Sequence, residues 1–115
     1  MNENDVPILR KIHELYKTFH EYRTLVPKHE RFSIYERSEN VMIDILEYVL
    51  EASYSSKERK LLLLEKASVK LNIFRFFVRL MKEGKTLDVK KYTTLQNITD
   101  EIGRMLGGWI RSVER

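Results

Sequence analysis

The side chains able to do chemistry are mostly cations at helical spacing. Arg75, Arg79 and Lys82 stand at i, i+4 and i+7, Arg59, Lys66 and Lys70 form a second strip on the same segment, and Arg104, Arg111 and Arg115 form a third near the end of the chain. Residues at such spacings share a helix face. Each group is therefore a row of positive charge that can follow a phosphate backbone, pair with an acidic neighbour helix, or face water. Groupings suited to catalysis are missing. There is no cysteine, the glycines fall inside a helical pattern and not between a strand and a helix, no Glu-x-x-His pair projects from a helix, and adjacent acids such as Asp100-Glu101 point in different directions. The expectation is a protein with no catalytic residues, no cofactor and no metal. His13 and His20, seven apart on one polar face with no supporting carboxylate motif, are expected to be solvated.

The composition frames these rows. The chain has 115 residues, enough for one domain spanning 1–115 with a core that needs no disulfide or metal. The first residues are polar and acidic, and no apolar run approaches the length of a membrane span, so a soluble cytoplasmic protein without membrane contact is expected. Net charge is +4, but it is unevenly spread. Residues 33–54 carry five acidic side chains and one basic, whereas residues 55–83 carry eight basic and three acidic. Two consecutive segments of opposite sign attract if they pack side by side, and the basic one is also free to face a polyanion.

Four amphipathic helices must position these charges, at about 5–23, 33–54, 56–83 and 88–113. Their short connections imply an all-α, antiparallel up-down-up-down four-helix bundle. The stop and start signals expected are Asp5, Ser33 with Glu36, Ser55 with Glu58, and Asp88 as N-terminal caps, with Gly84 left-handed at the end of the third helix. That third helix has two apolar stripes. Ala67, Leu71, Phe74, Val78 and Met81 form one; Leu62, Val69, Ile73, Phe76 and Leu80 form another, centred roughly 150° away. A helix of one bundle needs a single apolar arc, so the second stripe asks for a second neighbour. Self-assembly supplies one; helix one or the connecting segments are the alternative.

The fourth helix carries Tyr92, Leu95, Ile98, Ile102, Leu106, Trp109 and Val113 on one broad face, with glycines at 103, 107 and 108. Each glycine costs a helix ~1 kcal/mol relative to alanine. The spacing Gly103-x-x-x-Gly107, followed by Gly108 and Trp109, is expected to admit a close backbone, either within the bundle or from another subunit.

The run Glu101-Ile102-Gly103-Arg104-Met105-Leu106-Gly107-Gly108-Trp109, preceded by Tyr92 and Leu95, resembles the C-terminal signature of Avd, the accessory variability determinant family of diversity-generating retroelements. Pro27-Lys28 with Arg31-Phe32, Glu51-Ala52-Ser53-Tyr54, and Leu64 with Ala67 through Leu71 to Arg75, Arg79 and Leu80 also match that pattern, so the resemblance covers about residues 27–112. Avd-like proteins are four-helix bundles related to those encoded in intervening sequences of bacterial large-subunit ribosomal RNA genes. The resemblance implies a homopentameric barrel that binds the element's reverse transcriptase and nucleic acid, RNA or DNA, and supports complementary-DNA synthesis in mutagenic retrohoming. It places Arg75, Arg79 and Arg104 at motif positions, as ligand-binding or as structural residues. A structural oligomer, or an RNA-gene-associated bundle without a polymerase partner, is the alternative.

Overall fold

A computed structural model describes residues 5–115, with side chains from Pro7 onward. It contains α1 (Asp5–Glu21), α2 (Ile34–Ser53), α3 (Lys57–Glu83) and α4 (Val89–Glu114), with no strand among the described residues. No helix is long and apolar enough to cross a membrane. Between α1 and α2 the chain makes two short 3-10 turns, Tyr22–Leu25 and Lys28–Glu30. The cap expected at Asp5 lies outside the described side chains.

The helices pack in cyclic order, α1 against α2 and α4, and α3 against α2 and α4. Cross-helix pairs give their directions. Lys60 lies by Trp109, Arg75 by Asp100 and Lys82 by Tyr92, so α3 and α4 run antiparallel. Glu51 meets Arg59 and Asp44 meets Lys70, so α2 and α3 do too. Lys11 meets Glu101, and Tyr22 just beyond α1 meets Lys91, which sets α1 antiparallel to α4. The result is an up-down-up-down bundle about 44 Å long and 20–22 Å across.

The 3.6-residue period decides what is buried. Ile8, Ile12, Leu15 and Phe19 of α1 face inward with Val41, Met42, Ile45, Val49 and Ala52 of α2, and with the α3 stripe Ala67, Leu71, Phe74, Val78 and Met81. Leu95, Ile98, Ile102 and Leu106 of α4 close the core. Near one end, Phe19 stacks on Tyr35 with ring centroids 4.3 Å apart and meets Phe74 edge-on at 5.3 Å. The fully buried Tyr35 donates its hydroxyl to the carbonyl of Phe19. That carbonyl is one of the last four of α1, which have no partner within the helix, so α2 supplies the cap that α1 lacks. Burial pushes the Tyr35 phenol far above its ordinary pKa, so it remains a donor.

The helix ends depart from expectation in three places. Ser33 precedes α2 but makes no side-chain cap; its hydroxyl donates back to the Glu30 carbonyl at 3.2 Å, because α2 is entered from a 3-10 turn that brings this carbonyl within reach. Ser55 likewise donates to the Glu51 carbonyl at 2.7 Å, leaving Ser56 in the position before α3 with no side-chain cap. Gly84 is not left-handed, with φ −82°; the next residue, Lys85, takes φ 64°. The Thr86 amide reaches the Met81 carbonyl at 2.7 Å and the Lys85 amide reaches that of Lys82 at 3.0 Å, a Schellman ending centred on a lysine. Asp88 does cap α4, accepting the Lys91 amide at 2.8 Å.

Arg31 organises the α1–α2 connection, donating from Nε to Val26 and from Nη2 to Thr24, both carbonyls at 3.1 Å. Val26 and Leu87 plug the core from the two connections at this end.

Replacing Tyr35 with phenylalanine keeps the ring and leaves the Phe19 carbonyl buried without a donor. We expect a loss of about 1–3 kcal/mol and a melting temperature lower by roughly 4–8 °C per kcal/mol, with far-ultraviolet circular dichroism at room temperature unchanged. A melting temperature equal to that of the parent would show that this bond contributes nothing.

Candidate nucleic-acid and partner interface

The first apolar stripe of α3 is in the core; the second is not. Leu62, Val69, Ile73, Phe76 and Leu80 remain 48, 59, 37, 52 and 38% exposed. Among the described residues, neither α1 nor a connecting segment covers them, so the expected alternative of a stripe covered by these elements does not hold. Beside the stripe, Tyr48 of α2 and Leu62, Glu65, Lys66, Val69 and Lys70 of α3 line a shallow groove.

The cations sort by what they touch. Arg59 pairs with Glu51 and Lys70 with Asp44, at 2.5 and 3.1 Å, so two members of that strip hold acidic α2. Lys66, the third, is exposed and makes no ion pair among the described residues. In the other row, Arg79 sits 3.6 Å from Glu83 with its guanidinium 5.5 Å from the Phe76 ring centroid, and Lys82 lies over the Tyr92 ring at 4.7 Å. Arg104 and Arg111 are exposed and without an ion pair among the described residues. Exposed pairs contribute only about 0–1 kcal/mol, so Arg59 and Arg79 can exchange a carboxylate for a phosphate at small cost.

Arg75 behaves differently. It reaches across to α4, where Nη2 donates to the Thr99 carbonyl at 3.1 Å and lies 3.3 Å from Asp100 Oδ1, while Nε is buried without a partner. A Cβ placed on Gly103 would stand 2.7 Å from that same Nη2. Gly103 thus makes room for a guanidinium, not for a backbone, which corrects the reading of the Gly103-x-x-x-Gly107 spacing within the chain. At Gly107 and Gly108 the nearest group is the end of Arg111, 3.4 and 3.9 Å from an added Cβ. Both lie on the partly open α4 surface. Gly108 and Trp109 also line a cleft with Pro7, Ile8, Met105 and Ser112.

The two histidines part company. His13 is exposed, whereas His20 stacks on Tyr16 and places Nδ1 3.3 Å from Glu39 Oε2 on α2, so it is a surface contact and not simply solvated. Lys11 bridges Glu14 and Glu101, both at 2.9 Å, and the Glu101 carboxylate, followed by that of Glu14, raises its pKa.

The Arg75–Gly103 arrangement predicts non-additivity. Alanine at 103 gains ~1 kcal/mol of helix propensity but displaces the guanidinium from Thr99. In the parent, Gly103→Ala should therefore be neutral or destabilising. In an Arg75→Ala background it should stabilise by about 1 kcal/mol. Denaturant titration of the four proteins measures the coupling, and equal effects in both backgrounds would contradict the arrangement.

Against known proteins, the family model described as bAvd-like matches residues 6–113. No curated protein matches the chain. Among solved structures, the crystal structure of a protein with unknown function from the S23 ribosomal protein family, from Bacteroides thetaiotaomicron VPI-5482, superposes with a TM-score of 0.84. The alignment covers 94% of this chain and 98% of that one at 19% identity, a likeness of fold.

Proposed function

Because the chain belongs to the bAvd-like family, we propose that it is a noncatalytic accessory subunit of a diversity-generating retroelement. In this reading it assembles into a homo-oligomer, a pentamer by family resemblance. It binds the element's reverse transcriptase together with template RNA or DNA, and the polymerase chemistry belongs to that partner. The observation that carries the reading is the uncovered α3 stripe of Leu62, Val69, Ile73, Phe76 and Leu80. A further helix of protein is the natural cover for a straight apolar row bordered by cations. Withdrawing the exposed half of each such side chain from water contributes about 1 kcal/mol, which over five residues repeated around a ring is enough to favour assembly. Lys66, Arg79 and Arg104 remain available to phosphate, and in an oligomer their modest charge is multiplied.

A second reading, an oligomer with a purely structural role, draws support from the pairing of Arg59, Lys70 and Arg75 with acids of this same chain. Co-expression separates the two. The accessory reading expects the reverse transcriptase encoded beside a template and variable repeat to co-purify with this chain, and complementary-DNA synthesis to depend on it. A reverse transcriptase that neither binds nor needs the chain would leave the structural reading.

Glutamate at both Val69 and Phe76 places charge on the uncovered stripe without touching the core. The expected result is a monomer by light scattering, with parental helicity and little change in monomer stability. Retention of the parental mass would remove the stripe from the assembly.

A further inference from the structure

The α1–α2 and α3–α4 connections close the same end of the bundle. Thr86 Oγ1 donates to the Glu30 carboxylate across them, and Lys91 Nζ lies 5.9 Å from the Tyr22 ring centroid. Residues 22–33 and 82–91 hold seven lysines and arginines against three acids, a net of +4, which is the net charge of the whole chain. The remaining residues therefore cancel to zero in sum, although at the opposite end residues 54–60 and 108–115 hold five basic side chains against two acidic ones.

The three acids of these two stretches are already engaged, whereas Glu21 and Glu36, which border them, are exposed and make no ion pair among the described residues. Glu30 accepts from Thr86, Glu83 lies by Arg79, and Asp88 accepts the Lys91 side chain and amide, which hold its carboxyl below the usual range. Glu30 also lies 3.8 Å from His29 Nε2. Lys28, Lys85 and Lys90 are exposed and make no ion pair among the described residues. Lys85 projects from the left-handed position of the α3 ending, a conformation that costs a lysine more than a glycine. Apolar groups stand among these charges: Leu25, Phe32 and Val89 are 63, 67 and 64% exposed. The Arg23 guanidinium lies 5.4 Å from the Phe32 ring centroid. None of these side chains is spent on the core.

We propose that this end of the bundle is a binding site for single-stranded nucleic acid, in which Lys28, Lys85 and Lys90 contact phosphates and the Phe32–Arg23 pair stacks on an unpaired base. Only the choice of nucleic acid as the polyanion rests on the accessory-subunit reading; Lys28, Lys85 and Lys90 belong to none of the α3 and α4 cation rows. An exposed aromatic beside a guanidinium is what an unpaired base stacks on, and the base of a closed duplex is not available to it. An anionic bilayer would also attract the lysines. However, Leu25, Phe32 and Val89 lie on three separate segments and form no continuous apolar helix face of the kind that beds into a membrane. In a ring built through the α3 stripes, with bundle axes along the ring axis, every copy turns this end to the same rim.

The test is fluorescence anisotropy of the full chain with a labelled, unstructured oligouridylate of about twelve nucleotides, across a salt series. Three variants are compared: Lys28→Gln/Lys85→Asn/Lys90→Gln, Phe32→Ala, and Lys66→Gln/Arg104→Gln as the side-row control. All substituted side chains are exposed, and circular dichroism checks the fold. The triple variant should weaken binding at least roughly tenfold at low salt and flatten the log–log salt slope by about 2, at ~0.7 per phosphate contact. Phe32→Ala should weaken binding roughly tenfold with the slope retained, and the side-row control should bind closer to the parent than the triple variant does. If the parent binds and the triple and Phe32→Ala variants bind equally well, the site is overturned while the accessory reading stands. If the parent ignores the oligonucleotide at low salt, the nucleic-acid part of that reading falls and takes the site with it. Loss of binding to phosphatidylserine vesicles in the triple variant, with RNA binding intact, would overturn the assignment in favour of a membrane surface.

Discussion

A helix inside one four-helix bundle can bury only one side, and α3 is apolar on two. Everything distinctive about this chain follows from that constraint. The stripe from Ala67 to Met81 meets α1, α2 and α4 and supplies the core, so the second stripe from Leu62 to Leu80 is turned outward by the same helical geometry that buries the first. No alternative rotation of α3 helps, because it would exchange one exposed stripe for the other. The arginines and lysines between the stripes are consequently held at the border between core and surface, where some reach across to neighbouring helices and others face water.

That border position explains how one set of cations divides into structural and available members. Arg75 points toward α4 and meets a position with no side chain at Gly103, so its guanidinium can sit against the helix and reach the Thr99 carbonyl. Arg59 and Lys70 point toward acidic α2 and are paired there. Lys66 and Arg104 meet no acid among the described residues. A net charge of +4 collects where the two connections meet, just beyond the Leu80 end of the α3 stripe. An apolar surface along the side and a cationic surface at the end need not compete, as the proposed accessory role requires.

Periodicity made the four helices, the core stripes and the second α3 stripe readable directly, because burial on a helix is set by spacing alone. The Avd resemblance read from the Gly103–Trp109 run is the family that the match over residues 6–113 shows. Helix ends were less legible. Ser33 and Ser55 have the right residue types and spacing for caps, but their hydroxyls find a carbonyl of the preceding turn first. Lys85 took the left-handed position expected of Gly84 because α3 closes one residue later. At Gly103 the spacing announced a close neighbour but could not say that it is a guanidinium from 28 positions earlier in the chain. The cationic end was invisible for a similar reason. Its two halves lie some fifty residues apart, and only the antiparallel path of the helices joins them.

The measurement that bears most directly on the central claim is the solution mass of the unmodified protein by light scattering, at low and high salt. The account predicts a stable multiple of the 13.8 kDa chain mass, unchanged by high salt because the contact is apolar and screening acts only on its charged border. A 13.8 kDa particle at every salt and protein concentration would contradict it, and would mean that α3 carries five uncovered apolar side chains for some purpose other than binding its own kind.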